Sequence, residues 1–200
     1  RMCSRFELNS EPRDLLKVFG ISNLPRKFQL QEFYPSNDVL CFNDSGAYIH
    51  RWGLKVSWSK NILFNARAET LLKKHTFGPF LKFKCLVPAT AYFEWRHVGA
   101  HRIKNKIFLK NRKMFGFAGV TNGETLIILT RESPPSIAHI HGRMPMIVPE
   151  SAQKQWGNNS YPVRESLDLI HAESEILITE EDEHHLGHQR NLFSSQSIDN

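Results

Sequence analysis

Between residues 39 and 130 the chain is a succession of short apolar runs cut by turn-forming residues, and this rhythm commits it to a sheet-built fold. The runs are VLCF at 39–42, AYIHRWGL at 47–54, LKFKCLV at 81–87, KIFLK at 106–110, FGFAGV at 115–120 and TLIILT at 125–130. Short runs rich in β-branched and aromatic residues read as strands. NDSG at 43–46, NRK at 111–113 and TNGE at 121–124 separate them with Asn, Asp and Gly, which accept the backbone angles of tight turns. The sheet is expected to be antiparallel or mixed.

Helices are few. PRDLLKVF at 12–19 puts Leu15, Leu16 and Phe19 on one face, with Pro12 early enough to open a helix. ARAETLLKK at 66–74 reads as a second short helix, and ESAQKQW at 150–156 as a third, just after Pro149. The expected fold class is α+β, a single domain built on a mixed or antiparallel, barrel-like sheet with a few short helices. A chain of 200 residues, 40% hydrophobic, suits one continuous core.

Charge and cysteine usage narrow the functional classes. With 26 Lys and Arg against 20 Asp and Glu, the net charge of +6 favours a polyanionic partner. No stretch approaches the ~18–20 apolar residues of a membrane span, and the first residues lack a secretory layout. A soluble intracellular protein is expected, in the cytoplasm or nucleoid of a bacterium or the nucleus of a eukaryote. Cys3, Cys41 and Cys85 form neither a disulfide framework nor a CxxC pair of zinc ligands. Cys41 and Cys85 read as small buried hydrophobes. After about Asn158 the texture becomes acidic and then histidine-rich. His184, His185 and His188 in such a polar tail need no ligand role, so no metal and no cofactor is expected.

Four segments carry the chemistry: MCSRF at 2–6, NARAET at 65–70, CLVPATAYFEW at 85–95 and IHGRMP at 140–145. In this order and spacing they resemble the SOS-response-associated peptidase (SRAP) family, which has an initiator Met-Cys-Gly-Arg, NAR-E-T, a CLVPA segment running into (F/Y)YEW, and IHxRMP. The resemblance implies an SRAP-like domain over residues 2–158 and a divergent, partly disordered segment over 159–200. It also implies a monomer that bonds covalently with abasic sites in single-stranded DNA. Ser4 stands where the family has glycine. QEFYPS at 31–36 stands where the family has a YNVAPG-like segment, with Pro35 shared and Glu32 in place of an asparagine.

The residues support the same chemistry independently. An N-terminal cysteine offers an α-amine of pKa ~7.7–8, against ~10.4 for Lys, so roughly a tenth is neutral at pH 7. That amine can attack the aldehyde of a ring-opened abasic sugar, and the thiol of the same residue can then close a five-membered thiazolidine. Cys3 must become the first residue for this, so Arg1 and Met2 are expected to be removed. Glu94, between Phe93 and Trp95, is the candidate acid-base group, because desolvation would raise its pKa towards neutrality. An edge glutamate facing water is the bland alternative. His141 is the second candidate for proton exchange, against a satisfied core histidine.

Asn65 can donate and accept at once. The resemblance implies a place for it in the site, while the residue itself equally suits a helix N-cap. Arg5, Arg67 and Arg143 match family arginines near the DNA path, where guanidinium forks suit phosphate oxygens, or else they form surface ion pairs. Pro35 and Thr130 match further family positions along that path. Trp52, in RWGL, either stacks on a base or packs in the core. Two other readings stay open. One is a module that holds single-stranded DNA without bonding to it, and the other is a thiol peptidase using Cys3 and His141.

Overall fold

The computed structural model describes residues 3–170 and 177–181. In chain order its elements are β1 (Phe6–Leu8), α1 (Pro12–Phe19), β2 (Gln31–Phe33), β3 (Asp38–Asn43), β4 (Gly46–Trp52), β5 (Asn65–Arg67), two 3-10 segments (Ala68–Lys73 and His75–Phe80), β6 (Phe83–Ala89), β7 (Ala91–Val98), β8 (His101–Leu109), β9 (Phe115–Thr121), β10 (Thr125–Glu132), α2 (Pro135–Ala138), β11 (Arg143–Pro145), β12 (Ile147–Val148), α3 (Glu150–Gly157), α4 (Val163–Ile170) and β13 (Leu177–Glu181). The α+β, mixed-sheet expectation holds.

One sheet has the order β13-β8-β7-β1-β2, and the other runs β11-β10-β4-β3-β6-β9-β12 with β5 beside β10. Because β10 also pairs with β9, the strands β10, β4, β3, β6 and β9 close a ring. Parallel pairing occurs where β10 meets β4 and β5.

Apart from β4, where Tyr48 and Arg51 are exposed, the ring strands are largely buried on both faces, which is why they read as continuous apolar runs rather than alternations. Along β9, Phe115 and Phe117 enter the core that also holds Phe6, Phe33, Trp52 and Tyr92. Ala118 and Val120 join a second core with Leu71, Phe80, Trp156, Val163 and Leu167. Each fully buried large apolar side chain contributes about 1.5–3 kcal/mol. The first core lies beneath β1 and β7, and so beneath the elements that carry the chemistry.

The helices expected at 12–19 and 150–156 form. Gly20 ends α1 in the left-handed region, φ 64°, and its N–H closes on Leu16 O. The helix expected over 66–74 does not form as such. Residues 65–67 hydrogen-bond alongside Ile128–Thr130 of β10 as a parallel strand, and only Ala68–Lys73 coils, as a 3-10 segment. Sheet pairing takes the backbone groups that a helix would have used.

Past Asn158 the chain is tied back by Lys84, whose side chain is buried. Its Nζ donates to Asn158 O at 2.8 Å, Tyr161 O at 2.5 Å and Ser166 Oγ at 2.8 Å. β13 pairs antiparallel with β8. The His184, His185 and His188 cluster, and most of the tail for which partial disorder was expected, lie outside the described residues. Among the described residues no helix is long and apolar enough to cross a membrane, and no group of three His, Cys, Asp or Glu side chains is arranged to hold a metal ion.

Candidate active site

Cys3 leads into β1, which pairs with β7 through Phe6 and Tyr92. The Cys3 backbone N–H donates to Glu94 Oε1 at 2.5 Å, and the Cys3 carbonyl accepts from Asn65 Nδ2 at 3.0 Å. Cys3 and Glu94 are only 1% and 2% exposed, so this contact sits in a dry environment where electrostatic interactions are strong. Asn65 arrives on β5, held beside β10 through Ile128. It does not cap a helix.

Burial dominates the electrostatics. It raises the Glu94 carboxyl above its ordinary range, and the His141 charge and the hydrogen bond from Cys3 offset only part of the rise. The Cys3 thiol is pushed well above the usual thiol value, first by burial and then by the Glu94 charge. Cys3 also has φ 38°, in the left-handed region that a residue with a Cβ rarely adopts. His141 follows α2 in a loop rather than a strand. Its Nδ1 lies 3.0 Å from both the backbone nitrogen and the carbonyl oxygen of Arg143, which fixes the ring against the start of β11. Cys3, Asn65, Glu94 and His141 thus converge from four separate parts of the chain.

The residues expected along a DNA path divide. Arg67 is exposed. Arg143 grips Glu69 in a fork, Nη1 to Oε1 at 2.7 Å and Nη2 to Oε2 at 2.9 Å, and Nη2 also donates to Thr130 O at 2.8 Å. Its hydrogen bond, more than any other influence, holds the Glu69 carboxyl below the usual range. Thr130 is fully buried between Arg67 and Pro145, and its hydroxyl donates to Ala66 O at 3.3 Å. Its buried hydroxyl is thus engaged with backbone.

Trp52 corrects the expectation of a ring free to stack on a base. It is 0% exposed, its Nε1 donates to Phe64 O at 2.9 Å, and it packs edge-on against Phe6 and Phe64. Its backbone fastens the turn carrying Pro35, since Ser36 N donates to Trp52 O at 2.7 Å and Trp52 N to Asn37 O at 2.8 Å. Cation-flanked rings that solvent reaches lie elsewhere, at exposed Tyr34 and half-buried Trp95. Arg5 lies over the Tyr34 ring at 4.4 Å and near the Trp95 ring at 5.2 Å, and Arg102 flanks Trp95 at 5.5 Å. Glu32 is neutralised there by Arg5 at 3.4 Å and Lys104 at 3.6 Å. Sequence reasoning passed over Trp95 and Arg102. The signal was available in Trp95 following Glu94, so that the two side chains leave opposite faces of one strand.

A family model described as SOS response associated peptidase (SRAP) matches residues 2–180. This chain belongs to the SRAP family. Among its relatives are two proteins of Bacillus subtilis strain 168 named abasic site processing proteins, YoaM and YoqW. Each is 32% identical over 180 residues, covering 78% of this chain and 79% and 80% of theirs. The fold is also found in a solved structure: a crystal structure of a protein from Bacteroides thetaiotaomicron superposes with a TM-score of 0.74 at 24% identity. That alignment covers 90% of this chain and 91% of the other.

Proposed function

We propose that this SRAP protein processes abasic sites in single-stranded DNA, and that it does so by cross-linking Cys3 to the lesion as a thiazolidine. The observation that carries this reading is the Cys3 nitrogen held at 2.5 Å from the raised-pKa carboxyl of Glu94. The nitrogen that would attack an aldehyde therefore has a proton acceptor beside it.

The reaction runs in three steps. The free Cys3 amine adds to C1′ of the ring-opened sugar, and Glu94 takes the proton that nitrogen loses. That proton passes to the alkoxide oxygen of the adduct, and a second proton, drawn from solvent through Glu94, lets water leave and an iminium form. The Cys3 sulfur then adds to the same carbon, its proton passing to Glu94, and the five-membered ring closes. A carboxyl with its pKa raised by burial suits both directions of transfer. Asn65 fixes the Cys3 carbonyl, and His141 would assist the opening of the sugar ring.

The same geometry supports removal of the residues before Cys3. The Cys3 thiol gives its proton to Glu94 as the sulfur adds to the carbonyl carbon of Met2, and the carbon–nitrogen bond breaks as Glu94 passes that proton to the departing nitrogen. Water then hydrolyses the thioester. The unfavourable φ of Cys3, costing ~1–2 kcal/mol for a residue with a Cβ, is a torsion about a bond path that runs through the Met2 carbonyl, so cleavage abolishes it.

Single-stranded DNA suits the net positive charge and the cation-flanked rings of Tyr34 and Trp95, on which unpaired bases can stack at ~1–3 kcal/mol each.

The test incubates processed protein with single-stranded DNA bearing an abasic site. A denaturation-resistant adduct is expected, absent in Cys3→Ala. Cross-linking by the Cys3→Ala protein would falsify the assignment, and salt-sensitive binding without any adduct would favour the noncovalent module.

A further inference from the structure

Tyr92 is 0% exposed, yet among the described residues no donor or acceptor lies within hydrogen-bond reach of its hydroxyl. A buried hydroxyl without a partner is a standing cost, because folding strips its water and returns nothing. Phenylalanine would fill the same space, among Phe117 and the rest of the first core, without that cost. The hydroxyl is therefore a buried donor that no described protein group engages.

Its position indicates what it would engage. Tyr92 and Glu94 are two residues apart on β7, so their side chains leave the same face of the strand about 7 Å apart along the backbone. Glu94 faces the Cys3 nitrogen. The charges that act on the phenol are those of Cys3, Glu94 and Arg131, and its pKa is raised well above the ordinary tyrosine value, chiefly by burial. The phenol thus stays a neutral donor across the physiological range.

Resting on the cross-linking reaction proposed above, we infer that the Tyr92 hydroxyl binds the C1′ oxygen of the opened abasic sugar while the Cys3 amine adds to that carbon. Glu94 serves the nitrogen side of the new bond and Tyr92 the oxygen side. As nitrogen adds, the carbonyl π electrons move onto oxygen, and the phenol O–H donates a hydrogen bond to the charge that develops there. Tyr92 keeps its proton throughout, and the oxygen later leaves as water with protons supplied through Glu94. A single donor preorganised in a dry site is worth about 10²–10³ in rate where such donors have been removed from other enzymes.

The experiment compares wild type with Tyr92→Phe in two assays and one melt. Single-turnover cross-linking to abasic single-stranded DNA should slow about 10²-fold. Affinity for the same oligonucleotide carrying a tetrahydrofuran in place of the lesion should not change, because that analogue has no C1′ oxygen. The melting temperature should hold or rise, since an unpartnered hydroxyl is removed. An unchanged cross-linking rate in Tyr92→Phe overturns the inference while leaving the reaction intact. Equal loss of tetrahydrofuran-DNA affinity, or a lowered melting temperature, assigns Tyr92 to structure and overturns it as well. Absence of any adduct from the wild type is the distinct outcome that overturns the underlying reaction.

Discussion

The backbone nitrogen of Cys3 and the carboxylate of Glu94, 91 positions apart in sequence, meet at 2.5 Å in a site that neither residue shares appreciably with solvent. A carboxylate in such a place is costly unless partnered, and its partner is the atom that the proposed reaction needs as a nucleophile.

Glu94→Gln keeps an acceptor near Cys3 but removes the proton carrier. Cross-linking should slow by something like 10²–10⁴ in a single-turnover assay with abasic single-stranded DNA. An unchanged rate would remove Glu94 from the chemistry.

Glu94 should also leave a signature in stability against pH. Its folded pKa lies above the unfolded value of ~4.3, so the native state binds the extra proton. Below ~4.3 the carboxyl is neutral in both states and costs nothing. As pH rises from there towards the raised folded pKa, wild type loses stability that Glu94→Gln retains. Melting temperatures measured from pH 4 to 7 should therefore diverge in favour of the variant, and parallel curves would contradict the burial argument.

Asn65→Ala deletes the hydrogen bond to the Cys3 carbonyl. Losing about 1–2 kcal/mol of positioning corresponds to a rate reduction of about 5- to 30-fold. Affinity for undamaged single-stranded DNA should hardly move. The reverse pattern, weaker binding with normal cross-linking, would assign Asn65 to DNA contact.

Arg67 and Arg143 should behave differently although one motif-level reading covered both. Exposed Arg67 is free to meet phosphate, so Arg67→Ala should weaken single-stranded DNA binding and flatten the plot of log affinity against log salt by about 0.7. Arg143 is committed to Glu69 and Thr130, so Arg143→Ala should chiefly lower the melting temperature. Equal salt slopes for the two variants would refute this division.

Lys84→Met should loosen the chain beyond Asn158, because three acceptors lose their shared donor at about 1–3 kcal/mol for each left unsatisfied. Hydrogen exchange in α4 should accelerate well ahead of exchange in β9. Uniform acceleration would mean that Lys84 supports the whole fold.

Much was legible without coordinates. Ring strands such as β9 and β10 announced themselves because burial on both faces makes them largely apolar, as in TLIILT, and local composition records burial whatever the partner. The four motif segments named Cys3, Asn65, Glu94 and His141 as candidates because their chemistry is intrinsic to the side chains. What local pattern could not supply was which groups face each other. Residues 66–74 carry a helical pattern, but pairing with β10, some sixty positions later, makes the first of them a strand. Trp52 and Trp95 look alike as residues. One is walled in by Phe6 and Phe64, while the other meets Arg5 and Arg102. The unmet hydroxyl of Tyr92 likewise exists only because the assembled sheets remove water from it. Burial tendency is written residue by residue, whereas hydrogen-bond partners, desolvation and the pKa values that follow depend on distances between segments, and those distances exist only after the sheets have paired.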